Sequence, residues 1–129
     1  MKTLIVEDDF TSRLLLQELL KHYGSTHIAV NGKEAVAAVR LALDSFEPYD
    51  LICLDVMMPE MDGHEALQQI RALEASKSIR RPSRIIMTTA LVDVDNVMQA
   101  RDQGCDRYLA KPIIKATLLQ HLRELALIP

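Results

Sequence analysis

The residue with the clearest chemical potential in this sequence is Asp55, a carboxylate that directly follows an apolar run over residues 51–54. The run is followed by Pro59, a turn signal, and this pattern predicts a short strand that is buried on both faces, as in a parallel sheet. Ligands bind at the carboxyl edge of open α/β sheets, so we expect Asp55 to lie where chemistry takes place.

Polar side chains also follow three other strand-like runs. The first run ends in two acids, the fourth in two threonines and the fifth in a lysine: Glu7 and Asp8, Thr88 and Thr89, and Lys111. Because the carboxyl ends of parallel strands meet at one edge of a sheet, these groups should gather around the candidate aspartate.

Three neighbouring carboxylates repel one another, and at least one takes up a proton unless cations compensate. Lys111 supplies one positive charge. Mg²⁺ can compensate the remaining negative charge, because it binds through one or two carboxylates and keeps several waters. An aspartate oxygen beside a metal and a lysine is suited to receiving a phosphoryl group, which needs in-line access and neutralised oxygens. We therefore expect Asp55 to accept a phosphoryl group with Mg²⁺, or with Mn²⁺ in its place, and a threonine hydroxyl to donate a hydrogen bond to it.

The surrounding sequence alternates between two periods. Strands are predicted over 3–6, 26–30, 51–55, 84–87 and 107–110, and amphipathic helices over 10–22, 31–43, 62–73, 92–103 and 113–125. Asp9, Asn31 and Asp62 are the predicted N-caps of the first three helices. Five strands that alternate with five helices predict one doubly wound α/β fold with a parallel sheet, because parallel neighbours need crossover connections.

Composition narrows the class of protein. The chain has 129 residues, enough for a single domain with one core, and a formal net charge of −3, which gives no reason to expect direct nucleic-acid binding. Its apolar runs are too short to cross a bilayer, and Met1-Lys2 leads into a strand without a signal-peptide pattern. We expect a cytoplasmic protein without a membrane partner, in which Cys53 and Cys105 are reduced structural thiols.

Four motifs together carry a resemblance. They are Val-Glu-Asp-Asp at 6–9, Leu-Asp-Val-Met-Met-Pro-Glu-Met-Asp-Gly at 54–63, Met-Thr-Thr-Ala at 87–90 and Tyr-Leu-Ala-Lys-Pro at 108–112. In this order they resemble the receiver domain of two-component response regulators, and the chain is similar throughout to the chemotaxis-type single-domain members. The resemblance implies a flavodoxin-like (βα)5 fold with strand order 2-1-3-4-5, and a single receiver domain over 1–129 with no output domain.

The resemblance also implies roles for the site residues. Asp55 matches the phosphoacceptor, which receives its phosphoryl group from a sensor histidine kinase or a His-phosphotransfer protein. Glu7 and Asp8 match the acids that position Mg²⁺ together with Asp55, and the backbone carbonyl of Met57 matches a further metal ligand. Lys111 matches the lysine that pairs with the phosphoryl group, and the Lys111–Pro112 peptide bond matches one that is cis in the family.

A switch is implied by two further residues. Thr89, rather than Thr88, matches the switch hydroxyl that stabilises the phosphoryl group, and Tyr108 matches the aromatic switch residue. When Thr89 moves toward the phosphoryl group, it leaves space that Tyr108 can fill. The face formed by the fourth helix, fifth strand and fifth helix would then bind a downstream protein of unknown identity. A phosphorylation-dependent homodimer is the alternative use of this face.

Two apolar residues depart from the commonest pattern. Met57 stands two positions after Asp55, and Leu91 stands two positions after Thr89. In relatives these positions control how readily water reaches the acyl phosphate. Our hypothesis is that apolar groups at both positions give a long-lived phosphorylated form.

Two other classes of function compete with the phosphorylated switch. A degenerate receiver acting as a constitutive binding module predicts the loss of a site residue, and none is missing. A phosphatase of the haloacid-dehalogenase type would need a second aspartate two residues after Asp55, where Met57 stands. We therefore expect a signalling domain that is not an enzyme, beyond slow self-dephosphorylation and phosphoryl acceptance from acyl phosphates.

Other polar residues have simpler interpretations. The four histidines lack metal-ligand spacing, which favours surface or packing roles: His22, His27, His64 and His121. The segment 75–83 is rich in positive charge and includes Arg80 and Arg81. We interpret it as a solvated loop, with contact to a partner as the alternative.

Overall fold

Five parallel strands form one sheet in the order β2-β1-β3-β4-β5, as predicted. The computed structural model describes residues 1–90 and 94–129, with side chains at 1–90 and 97–129. Strands β1 to β5 span Thr3–Val6, Thr26–Ala29, Leu51–Asp55, Arg84–Thr89 and Arg107–Ala110. Helices α1 to α5 span Phe10–Leu20, Gly32–Asp44, Gly63–Ser76, Val94–Asp102 and Lys115–Glu124, and a single 3-10 turn, Lys21–Tyr23, follows α1. This is the doubly wound, flavodoxin-like fold that the sequence predicts.

The first three helices begin at the residues predicted to cap them. The side-chain oxygens of Asp9, Asn31 and Asp62 each accept a backbone N–H three residues further on, at 2.8, 2.8 and 2.9 Å. Each cap satisfies a donor that the first turn of a helix leaves unpaired. The caps therefore fix where the chain turns from the carboxyl edge of the sheet into its helices.

Side chains that alternate along the strands form two cores, one on each face of the sheet. Ile52 and Leu54 belong to the core under α2 and α3, whereas Leu51 and Cys53 belong to the core under α1 and α5. All five residues of β3 are buried, which confirms the prediction of a strand covered on both faces. Asp55 is thus the polar end of the most central strand.

The structure adds detail to the predicted helices and corrects one boundary. Leu16 and Leu20 of α1 are buried, but Leu14 and Leu15 are 45% and 39% exposed, because a helix on one face of a sheet buries only a narrow stripe. Helix α5 begins two residues later than predicted, since Ile114 is its N-cap. The predicted start of the fourth helix at residue 92 lies outside the described residues. None of the helices described is both long and apolar enough to cross a bilayer.

Candidate functional site

The predicted site residues meet at the carboxyl edge of the sheet. Asp55 is the last residue of β3, Glu7 follows β1, and Lys111 follows β5. Asp55 is 3% exposed and Glu7 is fully buried, whereas Asp8 is exposed. The sheet therefore holds two acids in a dry environment and leaves the third at the surface.

Three acids lie close enough to bind one cation. Glu7, Asp8 and Asp55 each offer a carboxylate oxygen, and these oxygens lie within 4.8 Å of one another. Mg²⁺ prefers oxygen ligands and needs only one or two carboxylates together with water. The cluster fits such an ion, while the neighbouring Asp9 is used as the N-cap of α1.

Lys111 compensates part of the negative charge. Its Nζ pairs with Glu7 Oε1 and lies 3.4 Å from Asp55 Oδ1, and its side chain is 20% exposed. The backbone N–H of Lys111 donates to the carbonyl of Thr89 at 2.8 Å, which joins the ends of β5 and β4. The Lys111–Pro112 peptide bond is cis.

Burial and mutual repulsion give the two buried acids, Glu7 and Asp55, pKa values that shift in opposite directions. Burial raises the pKa of Asp55, and the hydrogen bond and charge of Glu7 raise it further, to about 7 in spite of Lys111. Burial alone would raise the pKa of Glu7, but hydrogen bonds with Asp55 and Lys111 and the charge of Lys111 lower it. Burial would lower the pKa of Lys111, but the two carboxylates raise it. The negative charge of the metal-free pair is therefore concentrated on Glu7.

The loop after β3 folds back over Asp55. The N–H of Met57 donates to Asp55 Oδ1 at 3.3 Å, and the N–H of Gly63 donates to the carbonyl of Val56 at 2.9 Å. A Cβ at Gly63 would lie 2.3 Å from the carbonyl oxygen of Asp55, so only glycine allows this approach. The Met57 side chain is 61% exposed beside the site, and the other proposed shielding residue, Leu91, lies outside the described residues.

Arg13 supports the acidic loop and was missed by the sequence analysis. Its guanidinium donates to the backbone carbonyls of Glu7 and Asp8, at 3.2 and 3.5 Å, and lies 5.5 Å from the centre of the Phe10 ring. The signal available in the sequence was its place four residues after the N-cap Asp9, one helical turn into α1. From there a long side chain can reach back to the loop.

The two threonines of β4 face opposite sides of the sheet. The β3–β4 register aligns Asp55 with Thr88, so Thr88 shares the side of Asp55, and Thr89 lies one residue further toward the edge. By the same alternation Thr89 shares its side with Met87, which is aligned with Tyr108 of β5. Both threonines are buried, and Tyr108 packs against the core on the side of Thr89. Thr89 and Tyr108 therefore lie on the same side of the sheet.

The acid cluster and the lysine at the carboxyl edge of a doubly wound sheet form a site that suits phosphoryl transfer to an aspartate. The family model for the response regulator receiver domain matches residues 3–123, and the chain belongs to this family.

Comparison with individual proteins agrees with this assignment. The sensory/regulatory protein RpfC of Xanthomonas campestris pv. campestris is 34% identical over 128 residues, which are 98% of this chain and 16% of that protein. A second match is a Saccharomyces cerevisiae co-crystal structure. It contains the histidine phosphotransfer signaling protein Ypd1 and the receiver domain of its downstream response regulator Ssk1. The TM-score is 0.83 and the identity 30%, and the match covers 96% of this chain and 87% of that chain. The receiver domain of sensor histidine kinase PA1611 from Pseudomonas aeruginosa, with a magnesium ion coordinated in the active site cleft, matches with a TM-score of 0.78 and 26% identity over 97% of both chains.

The similar curated proteins are much longer than this chain. It spans 16% of RpfC and 13% of the sensor protein GacS of Pseudomonas syringae pv. syringae. The similarity therefore concerns one segment of those proteins, the receiver domain.

Proposed function

We propose that this chain is a phosphorylation-controlled switch in which Asp55 is the phosphoacceptor and residues 1–129 form one receiver unit. The observation that carries the proposal is the position of Asp55. It is a buried carboxylate with two other acids within 4.8 Å and an ammonium group 3.4 Å away. A phosphoryl group that reached this point would find an oxygen nucleophile and positive charge together.

In the proposed reaction an Asp55 carboxylate oxygen attacks the phosphorus of a phosphohistidine. The P–N bond breaks, its electron pair stays on the departing imidazole nitrogen, which takes up a proton from solvent water, and an acyl phosphate forms on Asp55. Mg²⁺, held by Glu7, Asp8, Asp55 and the carbonyl of Met57, would neutralise charge on the phosphoryl oxygens. Lys111 leaves its carboxylate partners for a phosphoryl oxygen, and Thr89 donates a hydrogen bond to another.

The proposed phosphoryl donor is a His-phosphotransfer protein or the corresponding domain of a sensor histidine kinase. The similarity to the Ssk1 receiver domain, whose structure contains Ypd1, supports this class of donor. Support also comes from the surface of α1, where Phe10 and Leu14 are 66% and 45% exposed and stand one helical turn apart beside the acidic loop. Such an apolar surface next to Asp55 suits a helical donor that must bring a histidine to it.

The proposed output is a change in the face formed by α4, β5 and α5. Thr89 moves toward the phosphoryl group, Tyr108 follows it, and the altered face binds a downstream protein or a second copy of the chain. Met98 and Ile114 already expose 50% and 61% of their surface there. The domain acts as a switch rather than as a turnover catalyst, and exposed Met57 helps to keep water from the acyl phosphate.

The test is phosphorylation by acetyl phosphate, followed by intact-mass spectrometry. Wild-type protein with Mg²⁺ should gain the mass of one phosphoryl group, and a chelator should prevent the gain. Asp55→Asn should abolish labelling while the circular dichroism spectrum stays unchanged. Asp9→Asn, which changes an exposed acid that caps α1, should still be labelled, and continued labelling of Asp55→Asn would overturn the proposal.

A further inference from the structure

A second concave surface lies at the opposite, amino edge of the sheet. It is a cleft of about 890 Å³ between the segments that lead into β3, β4 and β5 and the residues that follow α5. Its lining includes Tyr49 before β3, Pro82 before β4, Asp106 before β5 and Leu127 after α5. The proposed phosphorylation chemistry uses none of these residues.

The acids of this cleft are already satisfied by the protein. Asp106 accepts hydrogen bonds from Arg71, Arg84 and the N–H of Ile85, at 3.1, 3.3 and 2.8 Å. Asp50 accepts the backbone N–H of Lys2 at 2.7 Å. The charge of Asp106 is therefore compensated by two arginines within the protein, and Asp50 is exposed to solvent.

The cleft nevertheless has unused cationic donors. Arg80 and Arg81 are exposed in its lining, and neither guanidinium has an ion pair or a hydrogen bond within the part of the chain that the structure describes. Two unpaired cations in one concave surface contrast with the formal net charge of −3 for the whole chain. Two unpaired guanidinium groups on one wall favour a ligand that carries anionic acceptors.

The other walls of the cleft are apolar and argue against a bare anion. Pro48, Pro82 and Leu127 line it beside Tyr49. A small inorganic anion would contact the arginines and leave these apolar surfaces and most of the volume unfilled. A ligand that fills the cleft must therefore carry apolar groups together with its negative charges.

Nucleic acid fits this surface poorly. Tyr49 is 6% exposed and has the Lys2 ammonium 4.5 Å from the centre of its ring, so it offers no open aromatic face. Single strands bind through open aromatic faces and long basic grooves. An occupied ring and an acidic protein offer neither feature.

We propose that this cleft binds an acidic segment of a partner protein, whose carboxylates pair with Arg80 and Arg81 and whose apolar side chains pack on Pro48, Pro82 and Leu127. The site lies at the other end of the strands from Asp55. A partner bound there leaves the carboxyl edge open, so it can hold the domain while phosphoryl transfer proceeds.

The experiment uses a fluorescein-labelled synthetic peptide in which glutamates alternate with leucines, with binding followed by anisotropy at low salt. We expect saturable binding and amide chemical-shift changes confined to the cleft. Arg80→Glu combined with Arg81→Glu should weaken binding by about tenfold, since two exposed charge pairs become repulsive. Both residues are exposed and unpaired, so this variant should keep the wild-type melting temperature.

The matched control places the same change of charge at the carboxyl edge. Lys33→Glu combined with Lys115→Glu alters exposed lysines in the first turns of α2 and α5 and should change binding by less than about twofold. A peptide with serines in place of the leucines, and one with lysines in place of the glutamates, should both bind at least about tenfold more weakly.

Several outcomes would overturn the proposal. They are the absence of binding, equal binding by the arginine variant, equal binding of the serine or lysine peptide, or chemical-shift changes centred on Asp55. A short single-stranded RNA that bound as tightly and depended on the same arginines would assign the cleft to nucleic acid instead.

Discussion

At the scale of single residues, the candidate phosphoacceptor Asp55 lies where burial and a neighbouring acid disfavour its charged form. Asp55 is held beside Glu7 in a buried environment that raises its pKa to about 7. Its ordinary pKa is 3.8, so between about pH 4 and pH 7 the folded protein binds a proton that the unfolded chain does not. The contribution of this group to stability therefore decreases as the pH rises through that window.

This gives a pH-dependent prediction for Asp55→Asn in the metal-free protein. At pH 3.5 the variant should have nearly wild-type stability, because Asp55 is then protonated in the folded protein and mostly protonated in the unfolded chain. At pH 8 it should be more stable than the wild type, by on the order of 2 kcal/mol, because the amide removes the repulsion with Glu7. Urea unfolding with a chelator at both values measures the difference, and a variant that is less stable at pH 8 would contradict the electrostatic account.

The two threonines allow a prediction with a built-in control. Thr89→Val should still be phosphorylated at Asp55, but Tyr108 should no longer respond, because the hydroxyl that moves is missing. Thr88→Val, on the opposite side of β4, should leave the response intact. The Tyr108 ring signals can be followed by NMR before and after acetyl phosphate, and the reverse result would assign the switch hydroxyl to Thr88.

At the scale of elements, the end of α2 contains an unfavourable backbone conformation. Phe46 adopts a φ of 57° and is 91% exposed. Its N–H donates to Leu43 at 3.2 Å, and that of Glu47 donates to Ala42 at 2.9 Å, which is the Schellman arrangement that usually contains glycine. The left-handed backbone at Phe46 is sterically unfavourable, and the exposed ring buries too little surface to compensate for it.

We therefore predict that Phe46→Gly stabilises the domain, by about 1 kcal/mol, because glycine adopts positive φ without steric conflict. Ser45→Gly is the matched control: Ser45 has a φ of −91°, so the added flexibility should lower stability instead. Thermal unfolding of both variants distinguishes these signs. A lower melting temperature for Phe46→Gly would show that the ring makes stabilising contacts.

Strands and helix starts were predictable from the sequence where the residues that determine them are close together in the chain. The apolar run before Asp55 and the caps Asp9, Asn31 and Asp62 rely on neighbours within a few residues, and each lies where it was predicted. The exposure of Leu14 was not predictable, because it depends on which stripe of α1 faces the sheet. Periodicity alone did not distinguish that stripe from its apolar neighbours.

Interactions between distant segments were not visible in the sequence. Arg71 of α3 donates to the carbonyls of Gly104 and Ser83 at 2.8 Å and pairs with Glu74 and Asp106 at 2.7 and 3.1 Å. Glu74 is a neighbour of Arg71 one turn along α3, but Ser83 precedes β4, Gly104 and Asp106 precede β5, and these three come together with Arg71 only when the sheet forms. The contacts of Arg13 with the acidic loop, and the proton distribution between Glu7 and Asp55, likewise depend on three-dimensional positions.

At the scale of the whole molecule, the sheet separates two surfaces. Its carboxyl edge holds the acid cluster, and its amino edge holds the arginine-lined cleft. Ligands of the two edges should therefore bind independently, because no residue named for one site belongs to the other.

A global prediction concerns metal binding. Mg²⁺ should raise the melting temperature in proportion to the logarithm of its concentration above the dissociation constant, because it binds the folded acid cluster and not the unfolded chain. Asp8→Asn, which removes the exposed acid of the cluster, should abolish most of this stabilisation. Asp102→Asn, an exposed acid at the end of α4, should preserve it, and an equal response of all three proteins would place the ion elsewhere.

The central claim, that Asp55 carries a transferable phosphoryl group, can be tested by direct chemical mapping. Borohydride reduces an aspartyl phosphate to homoserine, which peptide mass spectrometry locates without ambiguity. After treatment with acetyl phosphate and Mg²⁺, we predict homoserine at position 55 and at none of the other acids. Homoserine at another acid, or a stable phosphoryl label that borohydride leaves unchanged, would contradict the account.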